Sequence, residues 1–282
     1  MRQRLFRDWP LAALNGSLSM RRVKLTADIQ YGDHNDAFVD LYAPVAMTKS
    51  TPIVVFFYGG RWQKGCRQDY KFVAQALASN GVCCLVPDYR RYPEVQFPDF
   101  IHDAAKALLW TADNIKSYGG SPHNLFVMGH SAGAHIASML ALNSDYRQFF
   151  DDAGHKLAGL IGMSGPYDFL PIRDMDILEV FGDKAKSMES QPVNYANAHA
   201  PPTLLLTSKL DIVVRQRNAH RLAKALTDLG ASAETRVYPN LTHVGTLLAL
   251  AGPLRWRAPV LDHVLSFIRH NSDTRPIMRA GR

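Results

Sequence analysis

Hydrophobic and polar positions along the chain follow two alternating patterns. Short apolar runs closed by glycine, proline, aspartate or serine recur: "TPIVVFFYGG" (51–60), "VCCLVPDY" (82–89), "NLFVMGH" (124–130), "KLAGLIGMSG" (156–165) and "PPTLLLTS" (201–208). Such runs, apolar without alternation, predict strands buried on both faces. Between them, apolar residues recur three and four positions apart in "DYKFVAQALASNG" (69–81), "FPDFIHDAAKALLWTADNIKSYGG" (97–120), "AGAHIASMLAL" (132–142), "RQRNAHRLAKALTDLG" (215–230) and "APVLDHVLSFIRH" (258–270). These stretches predict helices, several of them stopped by glycine. "AETRVYP" (233–239) predicts one more strand, and "RRVKLTADIQYG" (21–32) with "AFVDLYAP" (37–44) predicts a short antiparallel pair ahead of the rest.

Repeated strand–helix alternation with buried strands means an α/β fold: a mostly parallel sheet covered by helices, here with an antiparallel N-terminal edge. The chain, residues 1–282, has no internal repeat and reads as a single domain. Residues 166–200 break the rhythm and predict a small cap-like insertion. In open α/β sheets ligands bind beyond the carboxyl ends of the strands, so the functional candidates are the residues that directly follow strands.

One of these stands out. Gly129-His130-Ser131-Ala132-Gly133 fits G-x-S-x-G and lies between a predicted strand and a predicted helix. In that context the motif makes a tight turn that presents a serine hydroxyl, with glycines where β-carbons do not fit. A serine hydroxyl needs a base, and in this arrangement the order along the chain is Ser, then Asp or Glu, then His. Of the late histidines, His220, His263 and His270 fall inside predicted helices, whereas His243 lies in the turn-rich "YPNLTHVGT" after a strand. Asp211 follows the preceding strand in "PPTLLLTSKLDIVV". Ser131, Asp211 and His243 are therefore the candidate nucleophile, orienting acid and base. An oxyanion hole takes one N–H from the residue after the nucleophile, Ala132, and another from the loop after an early strand. "FFYGGRW" supplies that loop, with Gly60 and Arg61 as donors. Trp62, Phe169, Leu170 and Ile172 are candidates for an apolar substrate pocket, or equally for ordinary core packing.

Composition narrows the class without changing this picture. Hydrophobic residues make up 47% and charged residues 20% of the chain, an ordinary globular balance. No apolar run is long enough for a membrane helix, and "MRQRLFRDWPLAALNGS" is too short and broken to read as a signal peptide, so stable membrane insertion is not expected and a cytoplasmic location is. The net charge is +7. Residues 1–24 carry six Lys/Arg against one Asp and residues 269–282 four Arg against one Asp, which leaves the body near neutral. Such ends, about 1–24 and 271–282, are expected to be loosely held, and the first residues allow weak contact with an anionic surface. A nucleic-acid groove would need the charge clustered on the folded body. The three cysteines, Cys66, Cys83 and Cys84, have no ligand spacing and read as small buried hydrophobes in a reducing compartment, not as a metal site.

Taken in order, "DIQYG…VDLYAP", "VVFFYGGRW", "PDYRRYPEVQFPDFIHDA", "GGSPHNLFVMGHSAGAHIA", "SGPYDFLPI", "PPTLLLTSKLDIVV" and "YPNLTHVG" resemble the α/β-hydrolase superfamily. Within it they resemble the small esterases that include BD-FAE-like carboxylesterases and kynurenine formamidases. The resemblance covers about residues 27–270. It implies serine hydrolysis by Ser131, Asp211 and His243 with no cofactor, acting on a small-molecule ester, with short-acyl esters favoured. Aryl formamide hydrolysis is the alternative, and a non-catalytic binding protein on the same fold is a third reading. A homodimer is left open. Two positions depart from the family: Tyr58 stands where histidine is usual, and Ser208 where glycine is usual. With His243 as base, activity is expected to fall as pH drops through about 6.5.

Overall fold

The computed structural model describes residues 14–272 except residue 17. Eight strands form one sheet: β1 (Val23–Gln30), β2 (Phe38–Pro44), β3 (Ile53–Phe57), β4 (Cys83–Pro87), β5 (Leu125–His130), β6 (Leu157–Met163), β7 (Thr203–Ser208) and β8 (Ala233–Tyr238). Their order across the sheet is β1-β2-β4-β3-β5-β6-β7-β8. The first two strands pair antiparallel, β1 with β2 and β2 with β4, and every later pairing is parallel. The apolar runs account for the layering. Every residue of β3, β4, β5 and β7 is buried, whereas the edge strands β1 and β8 are half-buried or exposed at all but one position each.

Helices pack around the sheet: α1 (Lys71–Ala78), α2 (Asp99–Asn114), α3 (Ala132–Leu142), α4 (Ser144–Asp152), α5 (Met175–Phe181), α6 (Arg217–Asp228), α7 (His243–Leu248) and α8 (Val260–Asn271). The stretch predicted as one helix over 97–120 divides. Its regular part ends at Asn114, a 3-10 turn covers Ile115–Tyr118, and Gly119 closes it at φ 89°. Three helices have no counterpart in the expected pattern, and α5 is the one that lies inside the insertion. Helix α4 is mostly polar and buries only Phe150, so it has too narrow an apolar face to register. Helix α7 begins at His243, where a loop is expected, because the Thr242 hydroxyl accepts the Gly245 N–H at 3.3 Å and starts the turn.

The N-terminal stretch also differs from its expected looseness. The Asn15 amide donates to the carbonyls of Gln68 and Asp69 at 3.1 and 2.9 Å and accepts from the Phe72 N–H, and β1 already starts at Val23. Residues 1–13 and 273–282, which hold about half of the terminal net charge, lie outside the described residues. Among the described residues no helix is long and apolar enough to cross a membrane. Cys83 and Cys84 are buried in β4, and all three cysteines are free.

Parallel register decides where chemistry can sit. Phe57 is level with Gly129, Gly129 with Gly162, Met163 with Leu206, and Ser208 with Tyr238. The segments that follow β3, β5, β6, β7 and β8 therefore leave the sheet along one edge.

Candidate active site

Ser131 is the single residue between β5 and α3, held at φ 54° and ψ −121°. Few non-glycine residues occupy that region, and the packing around the turn enforces it. A β-carbon on Gly129 would lie 2.1 Å from the Gly133 carbonyl oxygen, and one on Gly133 would lie 1.9 Å from the Phe57 carbonyl oxygen. Neither position accepts a side chain, which is the physical reason for the two flanking glycines. A β-carbon on Gly59 would stand 3.1 Å from the Ser131 β-carbon, so the loop after β3 runs directly against the turn.

Three side chains form a hydrogen-bonded chain across this edge. Ser131 Oγ lies 2.9 Å from His243 Nε2, and His243 Nδ1 lies 2.8 Å from Asp211 Oδ2. With Asp211 ionised, Nδ1 carries the ring proton and Nε2 accepts from the serine hydroxyl. Burial pushes the Asp211 carboxyl up, but hydrogen bonds from His243 and the Val214 N–H, with the Ser164 hydroxyl, outweigh it and hold the group below the usual carboxylate range. Val213 and Val214 donate their N–H groups to Oδ1 at 3.0 and 2.8 Å, leaving Oδ2 for the imidazole. Ser208, where the family has glycine, is fully packed at the end of β7, and the Asp211 turn forms after it.

His130, the second residue of the motif, supports the base from behind. Its Nε2 lies 3.0 Å from the His243 carbonyl oxygen, and the two rings are 5.0 Å apart. Burial, reinforced by the neighbouring His243, pushes His130 down to about 3. His135, four residues into α3, is pushed down by burial to about 4, against its bond to the Ser190 carbonyl. Both are neutral in the folded protein near pH 7. The unfolded chain binds these protons at about 6.5, so between these values the unfolded state carries more protons. The stabilisation is complete above about pH 6.5 and is lost as pH falls toward the folded values. The melting temperature is expected to drop steeply between pH 6.5 and about 4.5. His135→Gln, which keeps a donor for Ser190, should make that drop shallower. Identical profiles for the two proteins would contradict the assignment.

The loop after β3 turns through three successive residues at positive φ: Gly60 at 129°, Arg61 at 59° and Trp62 at 59°. Gly60 is obligatory, since a β-carbon there would lie 2.0 Å from the Lys64 carbonyl oxygen. Among the described residues, the Gly60, Arg61 and Ala132 N–H groups donate to no other protein group. Ala132 is the first residue of α3, whose opening N–H groups have no partner inside the helix.

Tyr58 takes over the anchoring of this loop. Its hydroxyl donates to Asp88 Oδ1 at 2.8 Å and accepts from Arg91 Nη1 at 2.8 Å. Its ring stacks on Tyr89 and Tyr70 at 4.7 and 5.2 Å. Asp88 also accepts from the Arg67 N–H and guanidinium, and that guanidinium bonds Asp40 and Asp28 in turn. Burial pushes the Asp88 carboxyl up, with Arg67 and the Tyr58 hydroxyl opposing it. Sequence reading passes over this network, because its members lie 21 to 39 residues apart. The only local sign is an aspartate and two arginines, "PDYRR", closing a wholly apolar strand. Tyr58→Phe leaves Asp88 and Arg91 each one buried partner short. It is expected to cost about 1–3 kcal/mol of stability, measured by urea unfolding. A midpoint equal to wild type would show that the hydroxyl anchors nothing.

The pocket candidates separate. Trp62 is buried, 6.2 Å from the Phe169 ring, 5.2 Å from His135 and 5.0 Å from Phe181, in one aromatic cluster. Phe169, Leu170 and Ile172 are half-buried at the start of the insertion. The Arg61 side chain donates to Asp174, the N-cap of α5, at 2.7 Å, and Gln63 reaches the Asp176 carbonyl. The insertion is thus bound down on the loop after β3.

The BD-FAE family model matches residues 39–226, two thirds of the chain. The chain belongs to the BD-FAE family. It is 29% identical over 272 residues to a probable isoprenylcysteine alpha-carbonyl methylesterase of Oryza sativa subsp. japonica, covering 87% of this chain and 63% of that one. It is 28% identical over 248 residues to the probable carboxylic ester hydrolase LipM of Mycobacterium tuberculosis, covering 81% and 57%. The chain therefore spans less than two thirds of the length of these curated relatives. Among solved structures, esterase B of Lactobacillus rhamnosis superposes with a TM-score of 0.78 at 20% identity, over 93% of this chain and 92% of that one. That likeness establishes the α/β-hydrolase fold for this BD-FAE member.

Proposed function

We propose that the chain is a carboxylic ester hydrolase that works through an acyl-enzyme on Ser131. The observation that carries this reading is the unbroken chain Ser131 Oγ–His243–Asp211, with links of 2.9 and 2.8 Å, at the sheet edge where ligands bind in such folds. His243 Nε2 takes the serine proton as Oγ bonds to the acyl carbon, and Asp211 holds the imidazolium. The carbonyl oxygen becomes an oxyanion, and the N–H groups of Ala132, Gly60 and Arg61 receive it. One such donor contributes about 3–4 kcal/mol to the transition state. The tetrahedral centre collapses, the C–O bond to the alcohol breaks, and His243 returns the proton to the departing alkoxide. Water then repeats the sequence on the acyl-enzyme, releasing the carboxylic acid and freeing Ser131.

Short acyl groups suit the site, since Trp62, Phe181 and His135 fill the space beside α3. The similar proteins named above are esterases and methylesterases, which favours an ester over a formamide, although an aryl formamidase would use the same parts. Initial rates on p-nitrophenyl acetate and on a matching aryl formamide test the choice. Ester turnover well above the formamide rate is the expected result. A formamide preference would overturn the esterase reading, and hydrolysis of neither would favour a binding role.

A further inference from the structure

Four aliphatic side chains stand in solvent around the residues at the far end of the hydrogen-bonded chain. Leu210 and Ile212 flank Asp211 at 53% and 90% exposure, Val213 follows at 60%, and Val244, next to His243, is 46% exposed. Because Asp211 and His243 are joined at 2.8 Å, the two segments that carry these side chains meet at the rim of the site. The turn does not require them to be apolar, since it is held by the Val213 and Val214 N–H groups on Asp211 Oδ1. Exposed aliphatic side chains gathered on two segments that meet in this way mark a contact surface.

The same segment is cationic. Lys209, Arg215 and Arg217 are exposed, and none has an ion-pair partner among the described residues. Further along α6, Arg221 and Lys224 are paired, with Asp168 and Asp228. The one carboxylate within residues 209–217 is Asp211, which is buried and bonded to His243. The surface therefore offers aliphatic tips between unneutralised Lys and Arg, with no exposed acid of its own.

We propose that residues 209–217, together with Val244, dock on an anionic lipid bilayer. The aliphatic side chains enter the headgroup boundary while the three cations meet phosphate groups. Docked in this way, the Ser131 site faces esters carried in the lipid layer. That last step rests on the esterase reading, whereas the docking itself does not need catalysis.

Co-sedimentation with phosphatidylcholine vesicles, with and without phosphatidylglycerol, tests the proposal. Wild type and Ser131→Ala should both bind the phosphatidylglycerol vesicles at least about tenfold more strongly than phosphatidylcholine alone, and high salt should remove the difference. Arg215→Gln with Arg217→Gln should abolish the preference. Leu210→Ser with Ile212→Ser should weaken binding about tenfold, while leaving hydrolysis of dissolved p-nitrophenyl acetate unchanged, which shows that fold and site are intact. Equal binding to both vesicles, no binding, or wild-type binding by these variants overturns the proposal. It is also overturned if Leu210→Ser with Ile212→Ser splits a dimer in light scattering and vesicles are not bound, since the surface then pairs two copies. Vesicle binding by a protein that hydrolyses no ester upholds the docking and overturns the esterase reading.

Discussion

Ser131→Ala is expected to lower kcat for p-nitrophenyl acetate by a factor of about 10⁴–10⁶, with KM changed little. The size follows from the site's architecture. Without Oγ the imidazole of His243 has no proton to take, and the link from Asp211 through His243 ends at a methyl group. The residual rate is what the unbonded N–H groups of Gly60, Arg61 and Ala132 achieve with free water. Little structural cost accompanies the change, because the turn is set by Gly129 and Gly133 and by the Ser131 N–H, which donates to the Met163 carbonyl at 2.9 Å. Steady-state rates on the two proteins, with matched unfolding curves, measure it. A variant that keeps more than about a tenth of the wild-type rate would place the chemistry elsewhere.

Gly133→Ala is expected to prevent folding. The added β-carbon would lie 1.9 Å from the Phe57 carbonyl oxygen and 2.5 Å from that of Tyr58. Both are backbone atoms of the central β3 and the loop anchored by Tyr58, so no flexible side chain can give way. Helix α3 would have to move off the sheet, and all of its residues are buried. Overlap of this kind exceeds the usual range of single substitutions and costs upward of about 4–5 kcal/mol, against a typical total of about 5–15 kcal/mol. The variant should accumulate as insoluble protein. Gly252→Ala, with nothing within 4 Å of the added carbon, serves as the tolerated control. A soluble Gly133→Ala with wild-type melting would mean that α3 and β3 are not packed as described.

The three residues of the hydrogen-bonded chain were legible because the fold places them by rule. Ser131 and Asp211 follow the wholly buried strands β5 and β7, His243 follows the edge strand β8, and parallel register brings those strand ends to one edge. The same rule made the Gly60 loop visible. What escaped had no periodic signature. Helix α4 exposes most of its side chains and buries only Phe150. His243 opens a helix because of the Thr242 cap, yet "NLTH" has the composition of a turn. Ser164, held at φ 47° and bonded to Thr246 at 3.1 Å, reaches the Asp211 region only through the register of β6 beside β7. The ties of the insertion, Arg61 to Asp174 and His135 to Ser190, span 113 and 55 residues, a distance at which sequence pattern carries no pairing information.

The most direct test of a nucleophilic Ser131 is covalent labelling with a p-nitrophenyl phosphonate ester, followed by peptide mass analysis. The expected result is one adduct per chain on the peptide carrying Ser131, formed in step with loss of esterase activity and absent in Ser131→Ala. Inactivation with the adduct on another residue, or full ester hydrolysis by a protein that never acquires the label, would contradict it.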